Sequence, residues 1–337
     1  MKAYFFLVLF TICCSQSNAQ ESDTLPYVLF KDRLVIYSDI GFNGAPFSLY
    51  DNFPGGFSKV QYKHNLKPTM GLGVLYKWFS LRVGFGLPGH LRPLSRFGKS
   101  SYTDIGLNFN IKNVFTDIDV RNYGGFVIKD AYQWNDTLNE ISPNDFRPNT
   151  RAFSSSINVW YFKSKTFRMP AVLGKVGCYE NKETTWYFKG TLNFFGIGNE
   201  PDALLPDALI DTSKTISSSG AISALDLGVI PGYAYVNRFD RWQISVFGGL
   251  GGVIQSKFFR SDTLTRGFLG LAPRLDFRFI AGYTESKYFV WFVSDFDFKS
   301  IRFKENRYNQ TYYSVKLVAG IRFNKRKKKK EDYVVKI

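Results

Sequence analysis

The sequence predicts an all-β fold: an antiparallel transmembrane β-barrel of about twelve strands, within a range of about ten to fourteen. Three observations carry this. The chain opens with an export signal, it alternates apolar and polar residues in many short segments, and it has no long apolar run after the signal.

Residues 1–19 read as a signal peptide. Lys2 supplies the positive start, residues 4–12 form an apolar stretch broken by Thr11, and Ser17-Asn18-Ala19 places small residues before Gln20. The mature chain is then expected to begin at Gln20. Cys13 and Cys14 raise lipidation as an alternative, but neither follows a small residue as a lipidation site requires. Cleavage would leave Cys178 of the three cysteines. No intramolecular disulfide could then form, even in an oxidising compartment.

Composition separates a barrel from a helical membrane protein. A spanning helix needs about 20 consecutive apolar residues, whereas the longest runs after Gln20 are as short as 289–293. Aromatic residues reach 18%, with 34 Phe, 20 Tyr and 29 Gly, and the mean hydropathy is -0.17. Segments of about ten residues, apolar toward lipid and small or polar toward a lumen, produce that combination. The net charge is +16, of which Lys2 contributes one. An exported basic chain is expected to meet outer-membrane lipids and lipopolysaccharide, not nucleic acid. The expected location is the cell outer membrane of a Gram-negative bacterium, reached through the barrel assembly machinery.

Residues 20–56 form an N-terminal segment. Short strands are expected at 34–40 and 45–50 around a turn at 41–44, and extra barrel strands, a periplasmic hairpin and a plug all fit them. The barrel itself is expected over 57–323, with its first strand near 57–64. Alternation is plainest from Thr69 to Leu87. Met70, Leu72, Val74 and Tyr76 oppose Gly71, Gly73 and Lys77; after a tight turn at Lys77-Trp78, Leu81, Val83 and Phe85 oppose Arg82 and Gly84. Period two puts the two sets on opposite faces. Val83→Arg is therefore expected to harm folding far more than Gly84→Ser.

The same pattern recurs downstream. Ile105, Leu107 and Phe109 oppose Gly106 and Asn108; Trp242, Ile244 and Val246 oppose Gln243 and Ser245; Leu275, Phe277 and Phe279 oppose Arg274, Asp276 and Arg278. Near the end, Val315, Leu317 and Ile321 oppose Ser314, Lys316, Gly320 and Arg322. Barrels of this class have short periplasmic turns and longer external loops. That parity makes 88–100, 124–149, 196–222, 256–266 and 300–309 external. It also makes 163–184 a periplasmic connection with no complete crossing, to which Pro170 contributes because it cannot donate to a ladder. The basic tail 324–337, with Lys325-Arg326-Lys327-Lys328-Lys329-Lys330, would lie in the periplasm.

Tyr62-Lys63-His64-Asn65, then Gly71-Leu72-Gly73 and Tyr76-Lys77-Trp78, resemble an exported Gram-negative family known as domain of unknown function 4421. Its members show a Tyr-Arg-Pro-Asn step, a Gly-x-Gly strand ending in Tyr-Lys-Trp, and a Leu-rich return strand. Here Lys63 and His64 replace the Arg and Pro. Gly232-Tyr233-Ala234-Tyr235 resembles a later segment, and the family's Ser-Ala-Gly-type step has no match at 182–186. The resemblance implies an outer-membrane barrel and brings no activity, cofactor or catalytic residue.

Candidate chemistry is sparse. The two histidines, His64 and His90, each have a serine in the neighbourhood, Ser58 and Ser95. A Ser–His pair needs hydrogen-bond reach, and nothing in the spacing supplies it. Zinc wants several Cys or His, and the loop acids Asp202, Asp207 and Asp211 match no calcium loop. No metal, cofactor or catalytic residue is assigned. The sharper signal is charge on the inner face: Arg82, Arg274, Asp276, Arg278, Lys316 and Arg322. On a lipid face each Arg or Lys would cost about 2–4 kcal/mol near the midplane. Together they suggest either an anion-preferring interior or a charge network that fills a narrow barrel. The reading is thus a non-enzymatic narrow channel or surface scaffold. Its rivals are an outer-membrane lipid-modifying enzyme and a soluble exported β-sandwich.

Overall fold

Period-two alternation is satisfied by one sheet that closes on itself. The computed structural model describes residues 25–324 except 31, 32, 200, 262, 263 and 305, so the expected signal peptide and basic cluster 325–330 lie outside the described residues. In chain order the first strands are β1 (Tyr27–Leu29), β2 (Leu34–Gly44), β3 (Phe47–Tyr50), β4 (Lys59–His64), β5 (Pro68–Tyr76) and β6 (Phe79–Gly86). There follow β7 (Ser101–Ile111), β8 (Val114–Ile128), β9 (Asp145–Phe162), β10 (Gly177–Tyr179) and β11 (Glu183–Gly198). The last five are β12 (Ala221–Phe239), β13 (Trp242–Ser261), β14 (Leu264–Thr284), β15 (Tyr288–Arg302) and β16 (Arg307–Phe323).

Twelve of them, β2, β5–β9 and β11–β16, form an antiparallel ring. Pairing of β16 with β2, from Phe323↔Leu34 to Tyr313↔Gly44, closes it. Both chain ends therefore leave the ring at the same rim, here termed the turn end. Its hairpins are tight, and Lys77, Lys112 and Asp240 each adopt a left-handed φ, of 56, 53 and 54°. The opposite rim carries the longer connections and is the loop end.

The ring begins earlier than residue 57. Leu34–Gly44 has eleven residues and alternates as far as Ile40, with Val35, Tyr37 and Asp39 buried and Leu34, Ile36 and Ile40 exposed. A tilted crossing needs about 9–11 residues, so β2 is long enough and the six residues of β4 are not. Residues 41–44 continue β2 instead of turning. β3 and β4 form a bridge at the loop end, where β3 pairs with β16 and β4 with β8. The strand count stays at twelve because β2 replaces β4 in the ring.

Two expected loops are mostly strand. β13 runs to Ser261 and β14 starts at Leu264, while β15 and β16 continue to Arg302 and from Arg307. The adjacent aromatics Phe258 and Phe259 hide the period in the sequence, since one faces out and the other is buried. As parity required, 163–184 makes no crossing. It folds as a one-turn helix, Met169–Val172, with Pro170 in its first turn, followed by β10, which pairs with β1 and not with the ring. No helix among the described residues is long and apolar enough to cross a membrane.

Polarity is inverted relative to a water-soluble fold. Leu72, Val83, Leu227, Leu275 and Leu317 are exposed on the outer wall, while Asp39, Asp226, Arg274 and Lys299 are buried inside.

Candidate functional site

Inward-facing residues divide the lumen into three layers. At the loop end the β3–β4 bridge supplies Phe47, Leu49, Val60 and Tyr62, which pack with Phe126, Leu204, Leu209 and Tyr308. The Phe47 and Tyr62 rings stack with centroids 4.3 Å apart. The Tyr62 hydroxyl donates to the Leu204 carbonyl, and Thr150 Oγ1 donates to Asn199 Oδ1 at 2.8 Å. Loop 199–220 is thereby drawn into an apolar cap across the mouth.

The middle layer is ionic. Arg82 sits between Asp39, at 2.6 Å, and Asp104. Gly71 and Gly84 make that cluster possible, because a Cβ on Gly71 would lie 2.4 Å from the Arg82 guanidinium and one on Gly84 would overlap the Asp104 carboxylate. Arg278 spans Asp295 at 2.5 Å and Asp117 at 3.8 Å, and Arg121 pairs with Asp119 at 3.1 Å. Lys189 pairs with Asp276 at 2.6 Å, Arg274 with Asp226, and Lys299 with Asp297 at 3.3 Å. Lys189 also lies 4.7 Å from the Trp160 ring and Lys299 4.3 Å from that of Tyr312. Burying charge is costly unless each group is paired, and here pairing is nearly complete. Lys316 is the exception, its side chain making no ion pair or hydrogen bond among the described residues.

A cavity of about 120 Å³ remains beside Arg82, Arg121, Arg278 and Lys316. A narrower space of about 20 Å³ adjoins it past Leu173 and Lys175. This meets a vestibule of about 350 Å³ at the turn end, beside Arg33, Trp78 and Pro170. The neck admits little more than one water molecule.

The third layer is a plug. Phe167, Met169, Val172 and Tyr179 pack against Trp160, Phe162, Phe247 and Trp291 of the wall. Arg322 holds the plug's turn, donating to the carbonyls of Gly174, Lys175 (2.7 Å), Glu285 and Tyr288 (3.2 Å) and to Thr284 Oγ1 at 2.9 Å. Gln243 donates to the Ala171 and Val172 carbonyls and accepts from the Tyr179 amide at 2.9 Å.

Of the six residues singled out by alternation, Arg82, Arg274, Asp276, Arg278 and Lys316 belong to the middle layer. Arg322, on wall strand β16, holds the plug. Alternation over a few strands missed most of the acids, among them Asp39, Asp104, Asp226 and Asp297. The sequence signal was present: Asp117, Asp119 and Arg121 repeat at period two, as do Asp295, Asp297 and Lys299. With them the middle layer holds seven basic and eight acidic side chains. The six alone are net positive; the complete layer, even with Lys175 of the plug beside it, is not.

The histidines are apart from this layer. His64 Nε2 lies 3.1 Å from the Asn43 carbonyl, and the Ser100 amide donates to His90 Nε2 at 3.3 Å. Neither ring is hydrogen-bonded to a serine hydroxyl among the described residues.

The family described as Domain of unknown function (DUF4421) matches residues 35–323. The chain belongs to this family. Its match spans the ring from β2 to β16, so the DUF4421 unit here is the barrel together with its cap and plug. No curated protein matches. Among solved structures, the chain is similar to the outer membrane protease OmpT from Escherichia coli, at 8% identity and TM-score 0.40, covering 90% of this chain and 100% of that one. It is similar also to the translocator domain of the autotransporter NalP from Neisseria meningitidis, at 9% identity and TM-score 0.41, covering 96% of each. A third is an outer membrane channel from Pseudomonas putida F1, at 12% identity and TM-score 0.36, covering 91% and 100%. No residue role carries over at these identities.

Proposed function

We propose that this DUF4421 protein is an outer-membrane barrel with its turn end in the periplasm, and that it works as a closed scaffold, neither an open pore nor an enzyme. The supporting observation is the lumen: an apolar cap and a plug enclose a middle layer whose charges, Lys316 apart, are paired with one another. Such a barrel is filled by its own side chains, which leaves the outer wall and loop end as working surfaces. The exposed apolar wall supports membrane insertion, and the shared rim of both chain ends supports the orientation.

Reconstitution into a planar bilayer tests this. The native protein should insert and give no steady conductance in symmetric salt. A steady ohmic current would overturn the closed reading, and turnover of phospholipid by the pure protein would overturn the non-enzymatic one.

A further inference from the structure

The outer wall at the loop end carries a row of cations that the closed lumen does not explain. Cross-strand pairing places Lys59 opposite Tyr50, Tyr50 opposite Arg307, and Arg307 opposite Arg302. All four point away from the lumen, because their strand neighbours Val60, Leu49, Tyr308 and Ile301 are buried in the cap. Lys59 Nζ lies 5.3 Å, and the Arg307 guanidinium 4.5 Å, from the Tyr50 ring centroid. Lys59, Arg302 and Arg307 are exposed and make no ion pair among the described residues. Among the described residues the neighbouring acid, Asp51, is taken by Lys214 at 2.9 Å. Like charges directly opposite each other destabilise a sheet, and a bound anion would relieve that cost.

The residues beneath this row are graded. One step down, in the same strand order, stand Gln61, Ser48, Asn309 and Ser300, all neutral hydrogen-bonding groups. Next come Thr311 with Phe298, then Tyr313 with Phe296, and further down Leu317 with Phe292. Two residues advance a strand by about 6.6 Å. From the cations to Tyr313 is therefore about 20 Å along the strand, or about 15 Å along the barrel axis at the usual tilt. Along β15 and β16 the wall passes from cationic, through polar, to aromatic and aliphatic, while on β4 a further cation, Lys63, stands below Gln61.

We infer that this wall binds a phosphate-bearing glycolipid of the surrounding outer leaflet. Its anionic groups meet Lys59, Arg302 and Arg307, its sugars meet the Gln61–Ser300 row, and its acyl chains lie along the aromatic wall below. A soluble anion would be served by the cations alone. The gradation continuous with the lipid-facing surface selects an amphiphile. This inference rests on the outer-membrane reading.

The test uses the full mature chain, folded in detergent micelles and titrated with fluorescent lipopolysaccharide. The K59Q/R302Q/R307Q variant should bind at least tenfold more weakly than the native protein. Arg151→Gln, which removes an outward cation on β9, should bind as the native protein does. Phosphatase-treated lipopolysaccharide should bind the native protein as weakly as the phosphorylated form binds the triple variant. Binding by the triple variant within twofold of native would overturn the inference, as would equal affinity for the dephosphorylated lipid. Displacement of the lipid by an equimolar soluble heparin fragment would reassign the row to soluble polyanions. Heat-modifiable gel mobility is read for every variant, so that loss of binding by a folded barrel is separated from loss of the barrel. If the triple variant does not fold, Arg307→Gln alone is used, with a threefold loss expected and no loss overturning the assignment. A native chain that forms no detergent-resistant barrel would overturn both readings.

Discussion

The two closures of the lumen are built on different principles. The cap is part of the sheet: β3 and β4 pair backbone to backbone with β16 and β8, and their inward side chains make an apolar core. The plug shares no backbone ladder with the ring. Its strand β10 pairs with β1, and it is held to the wall by packing and by donors on wall side chains, Arg322, Gln243 and Arg238. The cap can open only if ring strands lose their bridge, whereas the plug can leave with every ring hydrogen bond intact. The first is stabilised by burial and a shared ladder, the second by burial and a few specific side-chain hydrogen bonds.

Phe47→Ala should loosen the cap and leave the plug in place. Phe47 is 2% exposed and its ring touches those of Tyr62, Phe126 and Tyr308. Removing such a ring costs about 3–5 kcal/mol. Hydrogen exchange over β3 and β4 should accelerate by orders of magnitude, with 168–179 unchanged. Acceleration of the plug to the same extent would mean that the two closures form one cooperative unit.

A change in the ring wall should weaken both closures together. Val83→Arg places a cation on the outer face of β6, at a cost of about 2–4 kcal/mol near the midplane. Urea midpoints in lipid vesicles should fall, and exchange should rise in cap and plug alike. Gly84→Ser is not the neutral control that alternation suggests, because its Cβ would overlap the Asp104 carboxylate. Gly106→Ser is better, since the nearest atom to a Cβ there is Asp119 Oδ1 at 3.5 Å. Equal loss in Val83→Arg and Gly106→Ser would mean that the face of this wall has been misassigned.

Arg322→Met isolates the plug. It leaves the buried Gly174 carbonyl and the half-buried Lys175 carbonyl of the plug without this donor, each costing about 1–3 kcal/mol, partly regained as water enters. The expected net loss is about 2–3 kcal/mol, felt in the plug and in the adjoining β14–β15 turn. Exchange over 168–179 should rise while β3 and β4 stay protected, and brief current bursts should appear in a bilayer where the native protein is silent. Unchanged plug protection would show that packing, not Arg322, holds it.

Sequence showed the wall well and the closures poorly, for a physical reason. Lipid outside and charge inside impose period two on every crossing, so Val83 against Arg82, or Leu275 against Arg274, can be assigned from alternation. The cap and plug obey no period. β4 has a strand's alternation but its place depends on pairing with β3 and β8, contacts distant in sequence. The plug was legible only by exclusion, through parity and Pro170. In the lumen, basic residues were found and their partners overlooked, because Asp39 lay in a segment read as preceding the barrel and Asp295 in a strand whose period was not followed.

Over any one pH unit the smallest change is a proton-linked one that separates the closures. His64, in the cap, is 6% exposed beside the rings of Tyr123, Phe126 and Tyr313, with Arg92 the nearby like charge. Burial pushes its imidazole pKa down to about 4, against a weaker upward pull from the Asn43 carbonyl. The unfolded chain titrates near 6.5. Between these values the open cap binds the proton and the closed cap does not, so stability falls as pH drops from about 6.5 to about 4. The slope is at most about 1.4 kcal/mol per pH unit, and His64 adds no further loss below the lower value. Exchange over β4 and residues 126–128 should accelerate across this window in the native protein and much less in His64→Phe, while 168–179 respond equally in both. The same pH response in His64→Phe would assign the effect to other groups and leave His64 as packing alone.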